Sequence, residues 1–157
     1  MIIGKTGKNI PKAEALDYVA GYVASNDVSA RKWQRDPAYA GGVPQWGFSK
    51  GFDKYAPLSP MIVSPKVIHN ASGLRLQTFV NGEVRQDTRT DDLIFGVEDI
   101  IAFVSQGTTL EKGTVIMTGT PSGVALGMNP PKWVKDGDVV EVKIEKVGRV
   151  RNKMVFE

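Results

Sequence analysis

Residues 74–86 constrain this chain's fold more than any other run. Leu74, Leu76, Thr78 and Val80 alternate with Arg75, Gln77 and Phe79, the two-residue period of a strand with unlike faces. Asn81-Gly82 comes next. That pair favours a two-residue hairpin turn, whose central positions both need positive φ. Val84 then opens the return strand. A second alternating run follows the Asp136-Gly137 turn: Val140, Val142 and Ile144 face one way, Glu141, Lys143 and Glu145 the other. That is the mark of a half-buried strand. Residues 150–156 read as a closing strand, residues 1–4 as the end of one, residues 57–64 as a Pro-punctuated apolar strand containing Met61, Ile62 and Val63, and residues 114–117 as a buried strand.

Only one long helix is expected. Leu93, Ile94, Val97, Ile100, Ile101 and Val104 recur at helical spacing. Asp91 and Asp92 near the start suit the helix dipole, and Gly107 ends the run, which gives a helix over about residues 91–106. A shorter helix begins at Pro11, favourable in a first turn, with Ala13, Leu16, Val19 and Ala20 as its stripe. One main helix among many strands makes the fold class α+β and β-rich. At 157 residues the chain reads as a single domain over 1–157.

Composition narrows the function. The net charge is +3, and the positive residues are scattered rather than clustered, which argues against nucleic acid as a partner. The sequence has no cysteine, which rules out a disulfide framework, thiolate catalysis and a Cys-based zinc site. No apolar run approaches the roughly 20 residues of a membrane span, and no signal-peptide pattern opens the chain. The expected location is cytoplasmic.

Three places carry candidate chemistry. A Gly- and β-branched strand from Gly21 stops at Asn26-Asp27, ahead of a short helical pattern with Arg31, Trp33 and Gln34. Strand ends can aim polar side chains into a pocket, yet on spacing alone Asp27 reads first as a cap of the following helix, the commoner role of Asp. In that bland reading Trp33 is core and Gln34 is solvated. Residues 35–48 form a loop bearing Tyr39, Trp46 and Phe48 that either lines a site or folds back on the core. Lys50 follows. The loop Thr118-Gly119-Thr120-Pro121-Ser122-Gly123 comes after an apolar strand, and such loops present N–H groups to carboxylate or phosphate oxygens. It lacks the P-loop lysine signature. His69 is the sole histidine and reads as a surface residue, which leaves no Ser-His-Asp triad.

Those pieces occur in a recognisable order. Asn26-Asp27-Val28-Ser29-Ala30-Arg31, Lys50-Gly51-Phe52-Asp53 with Ala56-Pro57-Leu58, Val80-Asn81-Gly82-Glu83-Val84-Arg85-Gln86, Thr118 through Gly123 and Lys135-Asp136-Gly137-Asp138-Val139-Val140 resemble the fumarylacetoacetate hydrolase family along essentially the whole chain. The resemblance implies the family's mixed β-roll and a homodimer. It implies Mg²⁺ or Mn²⁺ held by Asp27 together with a Glu-x-Glu pair, which relatives place just ahead of the strand equivalent to Ile2-Ile3-Gly4. That pair is not in this sequence, so the expectation is an N-terminally shortened chain in which Asp27 is the remaining metal ligand. By the same resemblance Lys50 is catalytic and substrate-binding, Gln34 offers its amide to substrate, and Thr120 meets the substrate's oxygen end. Lys32 stands where many relatives carry Asp, and Lys54 where they carry Thr. The implied activity is metal-dependent hydrolysis of a C–C bond, or decarboxylation or isomerisation, in a small 2-oxo acid such as an acylpyruvate or oxaloacetate. The alternative is a non-catalytic family member that serves as a dimerisation or ligand-binding module.

Overall fold

The computed structural model describes residues 1–156 and is α+β. A two-stranded antiparallel sheet joins β1 (Ile2–Ile3) to β2 (Val19–Gly21). Between them lies a 3-10 helix at Lys12–Tyr18. Three short helices follow, α1 (Arg31–Arg35), α2 (Pro37–Ala40) and α3 (Trp46–Lys50), and then α4 (Pro65–Ile68). The second sheet contains β3 (Arg75–Val80), β4 (Glu83–Arg89), β5 (Val139–Ile144) and β6 (Gly148–Lys153). Its spatial order is β4-β3-β5-β6, antiparallel throughout. The remaining helix, α5 (Val97–Val104), packs on the 3-10 helix.

The hairpin forms as its residues require. Asn81 and Gly82 sit at φ 52° and 83°, the left-handed region that Asn and Gly tolerate. Asn81 also binds the neighbouring turn: its amide nitrogen donates to Asp138 Oδ1 at 2.8 Å, and its Oδ1 accepts from the Val139 N–H at 2.8 Å. Those bonds lock β5 in register beside the hairpin. The pairing slips once. Thr78 faces Gln86 and Phe79 faces Val84, which leaves Arg85 as the extra residue of a β-bulge. A bulge bends its strand and re-aims the side chains beside it.

The core lies between the two sheets and α5. Ile3, Ile101 and Val147 are almost wholly enclosed, with Ile10, Leu74 and Leu110 around them. Each such side chain contributes about 1.5–3 kcal/mol by leaving water.

Several expected boundaries move. The main helix is shorter than residues 91–106: Thr90–Asp92 is a 3-10 turn, and the chain is extended at Leu93 (φ −62°, ψ 133°). Ile94 is 91% exposed, so the first apolar residues of the pattern belong to a loop rather than to a buried helical face. Gly96 caps α5 with an extended backbone. The helix expected after Pro11 is 3-10, and Pro11 is its cap rather than a residue of its first turn. Residues 57–64 form no strand and contribute only the bridges Ser25↔Leu58 and Tyr22↔Val63. Residues 114–117 run irregularly beside β1, through the bridge Ile2↔Val115 and the bond from Ile3 N–H to Thr114 O at 2.9 Å.

Candidate active-site cleft

Beyond β2 the chain stays extended to Asp27, and backbone bonds to residues 55–59 hold it there. The Ser59 N–H donates to Ala24 O at 2.8 Å, and the Val28 N–H donates to Tyr55 O at 3.1 Å. The Ala30 N–H then reaches Ser49 O at 2.9 Å. This last bond sets the end of α3 against the start of α1 and brings Lys50 opposite Asp27, 23 residues away. The Lys50 ammonium donates to Asp27 Oδ2 at 2.6 Å and to Ser29 Oγ at 2.7 Å. Both ionic side chains remain partly exposed, at 30% and 40%. Asp27 does not cap α1, whose cap residue is Ala30 with no side-chain bond.

Asp27, Ser29 and Lys50 lie on the wall of a cleft of about 760 Å³. Its floor is the apolar face of β3 and β5, including Leu76, Val80 and Val142. The loop 118–123 forms the facing rim. No backbone N–H from Met117 to Gly123 is matched with a backbone acceptor among the described residues. The loop is docked on the bulge. Gly123, at φ 102°, approaches so closely that a Cβ would overlap the Arg85 carbonyl oxygen. Gln86 Nε2 donates to Thr120 Oγ1 at 2.8 Å and to Pro121 O at 3.0 Å, while Thr78 Oγ1 bonds Gln86 Oε1 at 2.7 Å.

The charge of the cleft is one-sided. Arg31, Lys32, Lys50, Arg85 and Lys132 line it, against Asp27 as the one lining carboxylate among the described residues. Glu83, outside the lining, takes part of that charge by pairing with Lys132 at 2.6 Å and Arg85 at 3.4 Å. Such a cleft with an apolar floor suits a small carboxylate-bearing ligand.

The structure brings Asp27, Lys50 and Thr120 to one cleft, and it places Gln34 elsewhere. Gln34 is 1% exposed and does not line the cleft. Its Oε1 accepts from Arg31 Nη1, and its Nε2 is buried without a partner. Trp33 is the more exposed of the two, the reverse of the bland reading. It anchors a cluster of rings, with Tyr39 at 4.7 Å and Phe48 at 5.2 Å. The aromatic loop thus folds mainly onto itself, and Tyr55 alone of that cluster lines the cleft. His69 is exposed. Sequence reasoning assigned no role to Ser29 or Gln86. Both stood inside the quoted motifs, but their roles depend on a contact across 21 residues for Ser29 and 34 for Gln86.

The residues present do not by themselves fit a divalent cation. Asp27 is already paired with an ammonium, and no group of three or more His, Asp or Glu side chains that could hold a metal occurs among the described residues. Hard dications take several oxygen ligands.

Known proteins frame this cleft. The family described as fumarylacetoacetate (FAA) hydrolase C-terminal matches residues 1–155. A rat protein named oxaloacetate tautomerase Fahd2a, mitochondrial, is 41% identical over 155 residues, covering 99% of this chain and 48% of that protein. A solved fumarylacetoacetate hydrolase from Exiguobacterium antarcticum superposes with a TM-score of 0.90 at 40% identity, covering 99% of this chain and 54% of that one. Maleylpyruvate hydrolase from Sphingobium sp. SYK-6, solved in complex with manganese (II) ion and pyruvate, gives a TM-score of 0.80 at 30% identity, covering 98% of this chain and 51% of that one. The chain thus spans about half the length of the curated relative it matches.

Proposed function

The chain belongs to the fumarylacetoacetate hydrolase family, and from that premise we propose that its cleft binds a small 2-oxo acid and stabilises the enolate form. Oxaloacetate is the first candidate, because the rat relative is named for its tautomerisation. One observation carries the reading: a fixed ammonium, Lys50, and a loop of unmatched N–H groups share one cleft. In a keto–enol exchange C3 of the acid gives a proton to solvent water, the freed C–H pair forms the C2=C3 bond, and the carbonyl π pair moves onto the C2 oxygen. A proton added to that oxygen completes the enol. Donors fixed where this charge grows lower the barrier. Lys50 and Thr120 have that part here. Gln34, behind Arg31, supports the wall from outside it rather than touching substrate.

The test follows decay of the enol absorbance of oxaloacetate, with and without Mn²⁺. Acceleration by the wild type that falls about 10²- to 10³-fold in Lys50→Met supports the reading, that being the usual loss for one such donor. No acceleration by the wild type in either condition sinks it for this chain.

The poverty of carboxylates favours a second reading, a non-catalytic module that binds ligand or dimerises. Calorimetric titration with Mn²⁺ separates the two. Heat in the wild type that vanishes in Asp27→Ala assigns Asp27 to a metal site completed from beyond the described residues. No heat in either protein favours the module. Magnesium as the alternative ion, a homodimer and a cytoplasmic location complete the proposal. No helix among the described residues is long and apolar enough to cross a membrane.

A further inference from the structure

We propose that Gln86 is a positioning residue whose side-chain amide turns the Thr120 hydroxyl proton into the cleft. The inference rests on the reading of that cleft as a 2-oxo acid site. The direction of each bond follows from chemistry. Pro121 O is a carbonyl and only accepts, so the group 3.0 Å from it must be the amide nitrogen of Gln86. That leaves Gln86 Oε1 toward Thr78, whose hydroxyl must donate across the 2.7 Å contact. The nitrogen has two hydrogens. One goes to Pro121 O, and the other goes to Thr120 Oγ1 at 2.8 Å.

Thr120 Oγ1 is therefore an acceptor from Gln86, and its own proton must point elsewhere. No described protein group accepts it. Thr120 lines the cleft and is exposed to it, so the free O–H is a donor to an anionic oxygen bound there. The bulge makes the arrangement possible. By absorbing Arg85 it pairs Gln86 with Thr78, and the same bulge carbonyl meets Gly123 at the loop's other end. A loop held at both ends keeps the hydroxyl aimed before ligand arrives. Such prior orientation is what makes a donor effective.

Oxalate, a planar dianion resembling the enolate of pyruvate, is the probe. It is titrated calorimetrically into the full chain in metal-free buffer. Thr120→Val is expected to weaken binding about 10- to 100-fold, the size of one hydrogen bond to a charged group. Gln86→Leu is expected to do the same, and the double variant is expected to be no weaker than Thr120→Val alone. Thr120→Ser, which keeps the hydroxyl, is expected to bind like wild type. Should Gln86→Leu fold poorly, Thr78→Val removes the donor that orients the amide and is expected to weaken binding in the same direction. Losses from Gln86 and Thr120 that simply add would overturn the inference, because they would mean independent roles. So would wild-type affinity in a folded Gln86→Leu, and there the cleft assignment would survive. A wild type that binds no oxalate removes the cleft assignment and the inference together.

Discussion

The sheet β4-β3-β5-β6 and the segment from Asn26 to Lys50 are built on opposite plans. The sheet gets its position from alternation: residues of one face enter the core or the cleft floor, and the turn residues fix the register. The segment has no helix longer than five residues. It is held by single backbone bonds to residues 49–57, by an aromatic cluster and by one ion pair. The rigid half supplies the floor, and the irregular half supplies most of the charge. Most of the regular pairing and most of the cleft's charge thereby fall in different halves, which makes the two halves separately breakable.

The largest effect is expected from the core that the sheet shares with α5. Ile101→Ala opens a cavity at a fully enclosed position and should cost about 2–5 kcal/mol in denaturant unfolding, with cleft residues untouched. Lys50→Met, by contrast, should leave the unfolding midpoint nearly unchanged. Its partly exposed pair with Asp27 is of the kind worth about 0–1 kcal/mol, although the variant should lose the activity proposed above. A large stability loss in Lys50→Met would show that the two halves are not separate.

Gly123→Ala tests where they join. The position has positive φ and no room for a Cβ against Arg85 O. The strain should cost about 1–3 kcal/mol, and oxalate binding should fall with it because the loop lifts from the bulge. The last effect is a pH dependence, confined to alkaline conditions. Burial, helped by Glu98, pushes the Tyr22 phenol from its ordinary 10.0 up to about 12. The folded state therefore holds this proton more tightly than the unfolded chain. The contribution is complete below pH 10.0 and is lost as pH rises toward about 12. Tyr22→Phe should lack that portion of the alkaline decline, measured as the difference between the two unfolding profiles.

The contrast also explains what was legible in the sequence. Residues 74–86 announced a hairpin because each local choice agreed with it, and β5 appeared where its alternation ran. The bulge at Arg85 gave no local sign, and its contacts are with a loop that begins more than thirty residues later. The start of α5 was misread because Leu93 and Ile94 fit the helical period by chance while Gly96 ended the extended approach. In α1 five residues are too few for a period to show which face is inward, so the bland reading had Gln34 and Trp33 the wrong way round. The candidate residues Asp27, Lys50 and Thr120, which line one cleft, stood in the ordered motifs. Their meeting required long-range backbone bonds that no local pattern reports.

A crystal structure of the protein grown with Mn²⁺ and oxalate tests the central claim most directly. The account predicts oxalate in the cleft, with one oxygen within hydrogen-bonding distance of Lys50 Nζ and another facing the Thr120 hydroxyl and the N–H groups of loop 118–123. Oxalate bound away from both, or a cleft left empty at saturating oxalate, would contradict it.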